Sequence, residues 1–186
     1  MTYNFWQIGY GNMGKPIAES LRKESHHINL HIIDHNISYD VAKLKYNNIN
    51  QLTELAKPDI ILFALKPQNI KSALAEYQNF ISCDTKIISI MAGVTIDYLQ
   101  KFFPQNKIIR LMPNLGAKIQ KSVNLAYSQK LDKTDQIFFT KLFNNFGITI
   151  WLAHERMLHA ATAVAGSGPA YYYYILSIYS NYLIAA

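Results

Sequence analysis

One cysteine, Cys83, is all the chain has, so no intrachain disulfide can brace it. The six histidines and that cysteine show no ligand spacing, and no metal site is expected. Charge is scarce as well. Only 16% of the 186 residues are Asp, Glu, Lys or Arg while 50% are hydrophobic, which excludes a disordered tail. No basic stretch followed by an apolar run opens the chain, so no signal peptide is read and the cytoplasm is the expected location. Nucleophile-elbow and kinase signatures are missing. Basic residues outnumber acidic ones, 18 to 12, but they are spread along the chain, which argues against a nucleic-acid partner.

A chain of this length is one domain, or one domain and part of another, and it buries ~70% of its unfolded surface without help from a cross-link. Short apolar runs alternate with longer amphipathic stretches. Strands are expected at Phe5–Ile8, Ile28–Asp34, Asp59–Leu65, Lys86–Met91, Lys107–Met112, Ser122–Ser128 and Gly147–Leu152. Helices are expected at Pro16–Arg22, Asp40–Tyr46, Gln51–Ala56, Asn69–Phe80, Ile96–Phe103 and Asp132–Phe146. Asp59–Leu65 is apolar on both faces, as a central parallel strand must be. This alternation predicts a doubly wound α/β fold with a mostly parallel sheet.

The pattern changes near His154. From Leu158 to Ala186 there is no Asp, Glu, Lys or Arg. A run of ~20 apolar residues can span a bilayer. Here Gly166-Ser167-Gly168-Pro169 interrupts the run, and the tyrosines, serines and asparagine that follow are too polar for lipid. The expectation is a helix that packs on a partner, with no membrane span. The apolar end Leu183-Ile184-Ala185-Ala186 reads as a cut inside a helix that would be buried in a longer chain.

The chemistry is concentrated in Gly9-Tyr10-Gly11-Asn12-Met13-Gly14, after an expected strand and before an expected helix. That is the context of a dinucleotide fingerprint. Gly9 serves the tight turn, Gly11 the close approach of a pyrophosphate, and Gly14 the packing of helix on strand. The helix start offers free N–H groups to phosphate. Asp34, 20 residues after Gly14, ends the second strand. An acid there accepts from the ribose hydroxyls and repels a 2′-phosphate, so it leans towards NAD over NADP. Leu65, Lys66 and Pro67 follow the central strand, at the edge where such sheets bind ligands. Lys66 is either over the cofactor or a solvated loop lysine. Ala92-Gly93 leaves room for a flat nicotinamide ring, and Asn114 brings a donor and an acceptor to the same edge. Ser167 and Gly168 start the last helix, where a carboxylate can be held; an N-cap followed by proline explains them equally well. His154-Glu155 reads as a helix start, and no catalytic residue is identified.

Together Ile8–Gly14, Ala64–Gln68, Ser89–Val94, Ile109–Asn114 and Gly166–Tyr171 resemble the motifs of the pyrroline-5-carboxylate reductase family, in the family's order and over essentially the whole chain. The resemblance implies a Rossmann-type domain at 1–153 and, at 154–186, the beginning of an all-helical dimerisation and substrate domain. It implies reduction of a small cyclic imine, 1-pyrroline-5-carboxylate, to L-proline with NADP or NAD, in a homo-oligomer. The glycine loop, Asp34, Leu65–Pro67 and Ala92-Gly93 would touch the cofactor; Asn114, Ser167 and Gly168 would lie on the substrate side. Leu115-Gly116 stand where the family has Thr-Pro, which is expected to loosen that loop. A nucleotide-binding remnant without activity, or a related imine or hydroxyacid dehydrogenase, are the competing readings.

Overall fold

The computed structural model describes residues 2–24, 27–34, 45–46, 52–53, 55–162, 164 and 168–185. In chain order it has β1 (Tyr3–Ile8), α1 (Gly14–Leu21), β2 (Ile28–Ile33), β3 (Lys45–Tyr46), β4 (Ile60–Phe63), α2 (Ile70–Tyr77), β5 (Lys86–Ser89) and α3 (Ile96–Gln100). Then come β6 (Ile108–Met112), β7 (Ser122–Tyr127), α4 (Lys133–Phe143), β8 (Gly147–Trp151), α5 (Met157–Ala161) and α6 (Gly168–Ala185). Strands and helices alternate as the sequence predicts, with ends shifted by a residue or a few.

The strands form one sheet in the order β3-β2-β1-β4-β5-β6-β7-β8. All pairings are parallel except β6 with β7, which is antiparallel. Helices cover both faces. Ile17, Ala18 and Leu21 of α1 and Phe139, Leu142 and Phe143 of α4 close one core. Leu74 and Tyr77 of α2 and Ile96 and Leu99 of α3 close the other. Strand residues divide between the two by alternation: Ile60 and Leu62 face the first core, Ile61 and Phe63 the second. That double burial is why β4 is apolar without a break.

One expected helix is corrected. Lys45–Tyr46, expected to end a helix, is strand β3, paired with Ile32 and Ile33 of β2. The open edge of β2 offers ladder bonds, and Tyr46 packs on the second core beside His31. Residues 40–44 lie outside the described residues. Of the expected helix 51–56, residues 51 and 54 lie outside the described residues, and the others form a turn rather than a helix, with the Leu55 amide donating to the Leu52 carbonyl at 3.0 Å and Leu52 fully buried.

The reversal between β6 and β7 runs through a short 3-10 helix at Leu115–Ile119. Asn114 caps it, its Oδ1 accepting from the Gly116 amide at 3.0 Å. Gln120 takes the left-handed conformation, φ 59°, and lets the strand turn back. A side chain at position 116 would overlap the Lys121 carbonyl, so the glycine is what lets the turn close.

After β8 no further strand occurs among the described residues. Helix α6 is exposed along its described length beyond Gly168, tyrosines included. That leaves its aromatic surface open to a partner. No helix among the described residues is long and apolar enough to cross a membrane.

Candidate dinucleotide-binding site

The strand order changes direction between β1 and β4: the chain leaves β1 to one side for β2 and β3, then returns to the other side with β4. The carboxyl ends of β1 and β4 therefore border a crevice, the place where doubly wound sheets take ligands. The glycine loop fills the first βα turn there.

Its glycines have different reasons. Gly9 has φ +101°, and a Cβ on it would lie 2.5 Å from the Ala64 carbonyl oxygen at the end of β4. A Cβ on Gly14 would overlap the Gly9 carbonyl. Both are glycine because the protein's own backbone leaves no room. Gly11 is otherwise: a Cβ there would meet nothing within 4 Å. The packing around it does not demand glycine, which is what a cradle for an external group looks like. Helix α1 begins at Gly14 with no side-chain cap, so its first N–H groups have no side-chain oxygen. A phosphate suits that position.

Two interactions hold the loop in shape. Gln7, fully buried in β1, donates from Nε2 to the carbonyls of Gly9 at 2.9 Å and Gly14 at 2.8 Å. The sequence reading missed it. A lone polar residue in a buried strand, two positions before the fingerprint, was the available signal. The second is Asp34, whose Oδ2 accepts from the Tyr10 amide at 2.6 Å. The predicted acid of β2 thus sits against the loop. Tyr10 and Met13 pack their side chains on the first core, so they offer a ligand backbone rather than side chain. Burial, with Glu19 adding to it, pushes the Tyr10 phenol above its ordinary range. Asn12 is exposed in the turn.

The other predicted positions follow the strand ends. Leu65 packs partly on the second core, while Lys66 and Pro67 are exposed. Ala92 and Gly93 are exposed after β5; Gly93 has φ +76° and open space where a Cβ would be. Asn114 is half-buried, and its Oδ1 is already engaged in the turn cap. Gly168 opens α6, and Ser167 lies outside the described residues.

His154-Glu155 leads into a helix as expected: their carbonyls accept from the Met157 and Leu158 amides at 3.1 and 3.0 Å, and α5 begins at Met157. Glu155 also pairs with Arg110 at 2.7 Å. Arg110 in the middle of a buried strand was the hint, since a buried guanidinium requires an acid. No group of three or more His, Cys, Asp or Glu that could hold a metal occurs among the described residues.

Residues 7–93, from Gln7 to Gly93, match the family model of NADP oxidoreductases, coenzyme F420-dependent. The pyrroline-5-carboxylate reductase of Staphylococcus epidermidis is 34% identical over 127 residues, 67% of this chain and 46% of that protein. The chain is a relative of the pyrroline-5-carboxylate reductases. Pyrroline-5-carboxylate reductase 2 of Bacillus subtilis is 39% identical over 117 residues, 62% of this chain and 41% of that one. The chain thus spans less than half the length of these two reductases. The crystal structure of Plasmodium falciparum pyrroline carboxylate reductase with NADP bound superposes with TM-score 0.83 at 27% identity, covering 99% of this chain and 70% of that one. The doubly wound fold of this chain is thus similar to that of the Plasmodium reductase, and four of the motifs read in the sequence, Ile8–Gly14, Ala64–Gln68, Ser89–Val94 and Ile109–Asn114, lie at the ends of β1, β4, β5 and β6.

Proposed function

We propose that this chain binds NADPH or NADH and serves the reduction of 1-pyrroline-5-carboxylate to L-proline in proline synthesis. The observation that carries the reading is Gly11: a glycine that the fold does not need, beside an uncapped helix start. The relatives' names supply the substrate, and the NADP of the Plasmodium structure supports the cofactor.

The bound nicotinamide supplies a hydride for the imine carbon. The chain's residues supply place and charge. N–H groups of the glycine loop and α1 hold the pyrophosphate. Asp34 accepts from the adenosine ribose and leans the choice towards NADH. Leu65, Lys66 and Pro67, with Ala92 and Gly93, line the rest of the cofactor. We assign Asn114, Ser167 and Gly168 to the substrate side, with residues 1–153 holding the cofactor and 154–186 contributing to the imine side. No proton donor for the imine nitrogen is assigned.

We also propose that the exposed aromatic surface of α6 packs on a second copy of the chain, since patches of this kind mark interaction sites. A cytoplasmic location fits the exposed free thiol of Cys83. The deciding experiment is oxidation of NADPH and NADH by the purified protein with and without 1-pyrroline-5-carboxylate. Imine-dependent oxidation is expected. Tight cofactor binding with no turnover would instead favour a nucleotide-binding protein without reductase activity.

A further inference from the structure

Glu155 sits in the connection from β8 to α5, away from the glycine loop. Its Oε1 accepts twice: from the Ile96 amide at 2.8 Å and from Arg110 Nη1 at 2.7 Å. Ile96 is the first residue of α3 and follows the turn that carries Ala92 and Gly93. Arg110 lies in β6, whose carboxyl end leads to Asn114. The guanidinium side chain is 9% exposed and the carboxylate side chain 18%. Among the described residues this is the ion pair recorded for Arg110.

The same segment meets β6 a second time. Two helical turns beyond Glu155, the Thr162 hydroxyl contacts Sδ of Met112, the last residue of β6. Residues 110 and 112 share a face of the strand by alternation. Leu158, between the two contacts in sequence, is buried. The stretch from Glu155 to Thr162 is therefore fastened along one face of β6, and Glu155 fastens it to α3 as well.

A buried ion pair is weak evidence for stability, because an apolar pair of similar volume often serves as well or better. Here one oxygen joins three separate pieces: the start of α3, four residues after Ala92, the strand leading to Asn114, and the helical segment leading to Gly168. These pieces adjoin the residues that the proposed function assigns to the nicotinamide and imine. We propose that Glu155 is a positioning residue for hydride transfer, holding the helical segment in fixed relation to the nicotinamide end of the crevice. The inference rests on the reductase reading. Transfer rates depend steeply on such placement, and a shift of about 1 Å from a remote substitution costs up to roughly 100-fold.

The test uses Glu155→Ala, Glu155→Gln and the double variant Arg110→Met with Glu155→Met. NADPH affinity, kcat, Tm and hydrogen exchange of the Ile96 amide are measured for each. Glu155→Ala is expected to lower kcat by roughly 10- to 100-fold with NADPH affinity changed less than about twofold, and to speed exchange at Ile96. Glu155→Gln keeps an oxygen that accepts from both N–H groups, so it should restore most of kcat. The double variant removes both charges and should recover Tm towards the parent without recovering kcat. Recovery of kcat together with Tm would reduce Glu155 to a packing role and overturn the proposal. So would a Glu155→Gln variant as impaired as Glu155→Ala. If the unsubstituted protein binds NADPH but does not turn over the imine, the reductase reading fails separately. Exchange at Ile96 then decides the clamp: no acceleration in Glu155→Ala overturns it.

Discussion

The backbone amide of Tyr10 donates to Oδ2 of Asp34 at 2.6 Å, so the acid at the end of β2 braces the loop that it was expected to serve only through a ligand. The carboxylate has two tasks, and two substitutions separate them. Asp34→Asn keeps an acceptor for the Tyr10 amide and removes the charge that repels a 2′-phosphate. It should raise NADPH affinity relative to NADH. Asp34→Ala removes the brace too and should weaken both cofactors. A hydrogen bond to a charged group contributes roughly 1.5–3 kcal/mol, or about 10- to 100-fold in affinity. Fluorescence titration with both cofactors checks this. An unchanged ratio of the two dissociation constants in both variants would remove Asp34 from cofactor selection.

Gly11 and Gly14 should respond in opposite ways to alanine. Gly11→Ala meets no protein atom, so Tm should hold while cofactor affinity falls at least about tenfold as the methyl group displaces the pyrophosphate. Gly14→Ala drives a methyl group into the Gly9 carbonyl and should lower Tm before any ligand is added. Thermal melts with and without NADPH distinguish the two. If Gly11→Ala binds NADPH as the parent does, the cradle is elsewhere.

Gln7→Leu should lower stability and loosen the loop together. It removes two buried hydrogen bonds, to the carbonyls of Gly9 and Gly14. Leaving a buried acceptor unpaired costs roughly 1–3 kcal/mol. Urea unfolding should show a lower midpoint, and NADPH affinity should fall further than that of a β-strand variant distant from the loop. Equal losses in both would mean that Gln7 supports the sheet alone.

Asp132 should make stability fall in acid. It caps α4, accepting from the Asp135 amide, and it pairs with Lys107. The backbone bond first and the Lys107 ammonium second hold its carboxyl down at about 2. Its pKa is lower folded than unfolded, so its contribution is complete above the unfolded value near 4 and is lost as pH falls through about 2. Asp132→Asn should flatten the acid limb of Tm against pH while keeping much of the cap. Asp132→Ala should lower Tm at neutral pH as well. An acid limb identical to the parent's in both variants would assign it to other carboxylates.

The exposed aromatic face of α6 should draw copies together. Light scattering of the 21.3 kDa chain is expected to give a mass above the monomer that grows with concentration. Replacing Tyr172, Ile175 and Tyr179 with Lys should return it to monomer. A monomer of the parent at high concentration would contradict the expectation.

Strands with buried neighbours on both sides were legible because the whole run is apolar, as at Ile60–Phe63. The glycine loop and Asp34 were legible because each lies at a strand end in a fixed order. Three features were not. The two-residue strand β3 is too short to show a period and forms because β2 has an open edge. The antiparallel return of β7 is set by the Asn114 cap and the left-handed Gln120, and neither changes the hydropathy pattern. Glu155 and Arg110 are 45 residues apart, and only the fold brings them together. Gln7 and Arg110 were each visible as polar residues within apolar strands, which marks them as needing partners without saying which.

The sheet order has a kinetic consequence. From β4 to β8 every neighbour in the sheet is also the next strand in the chain, but β1 must wait for β4, with Phe5 set against Ile60. Closing that long loop is an entropic cost met before the contacts it permits can form. The β1–β4 seam is therefore expected to form late in assembly, and it borders the crevice where the glycine loop meets Ala64. Trp6, fully buried in β1 beside Ile61, makes its fluorescence a clock for that step once Trp151, the second tryptophan, is replaced by Phe. A nucleotide waiting in solution would find its pocket only once the clock has run.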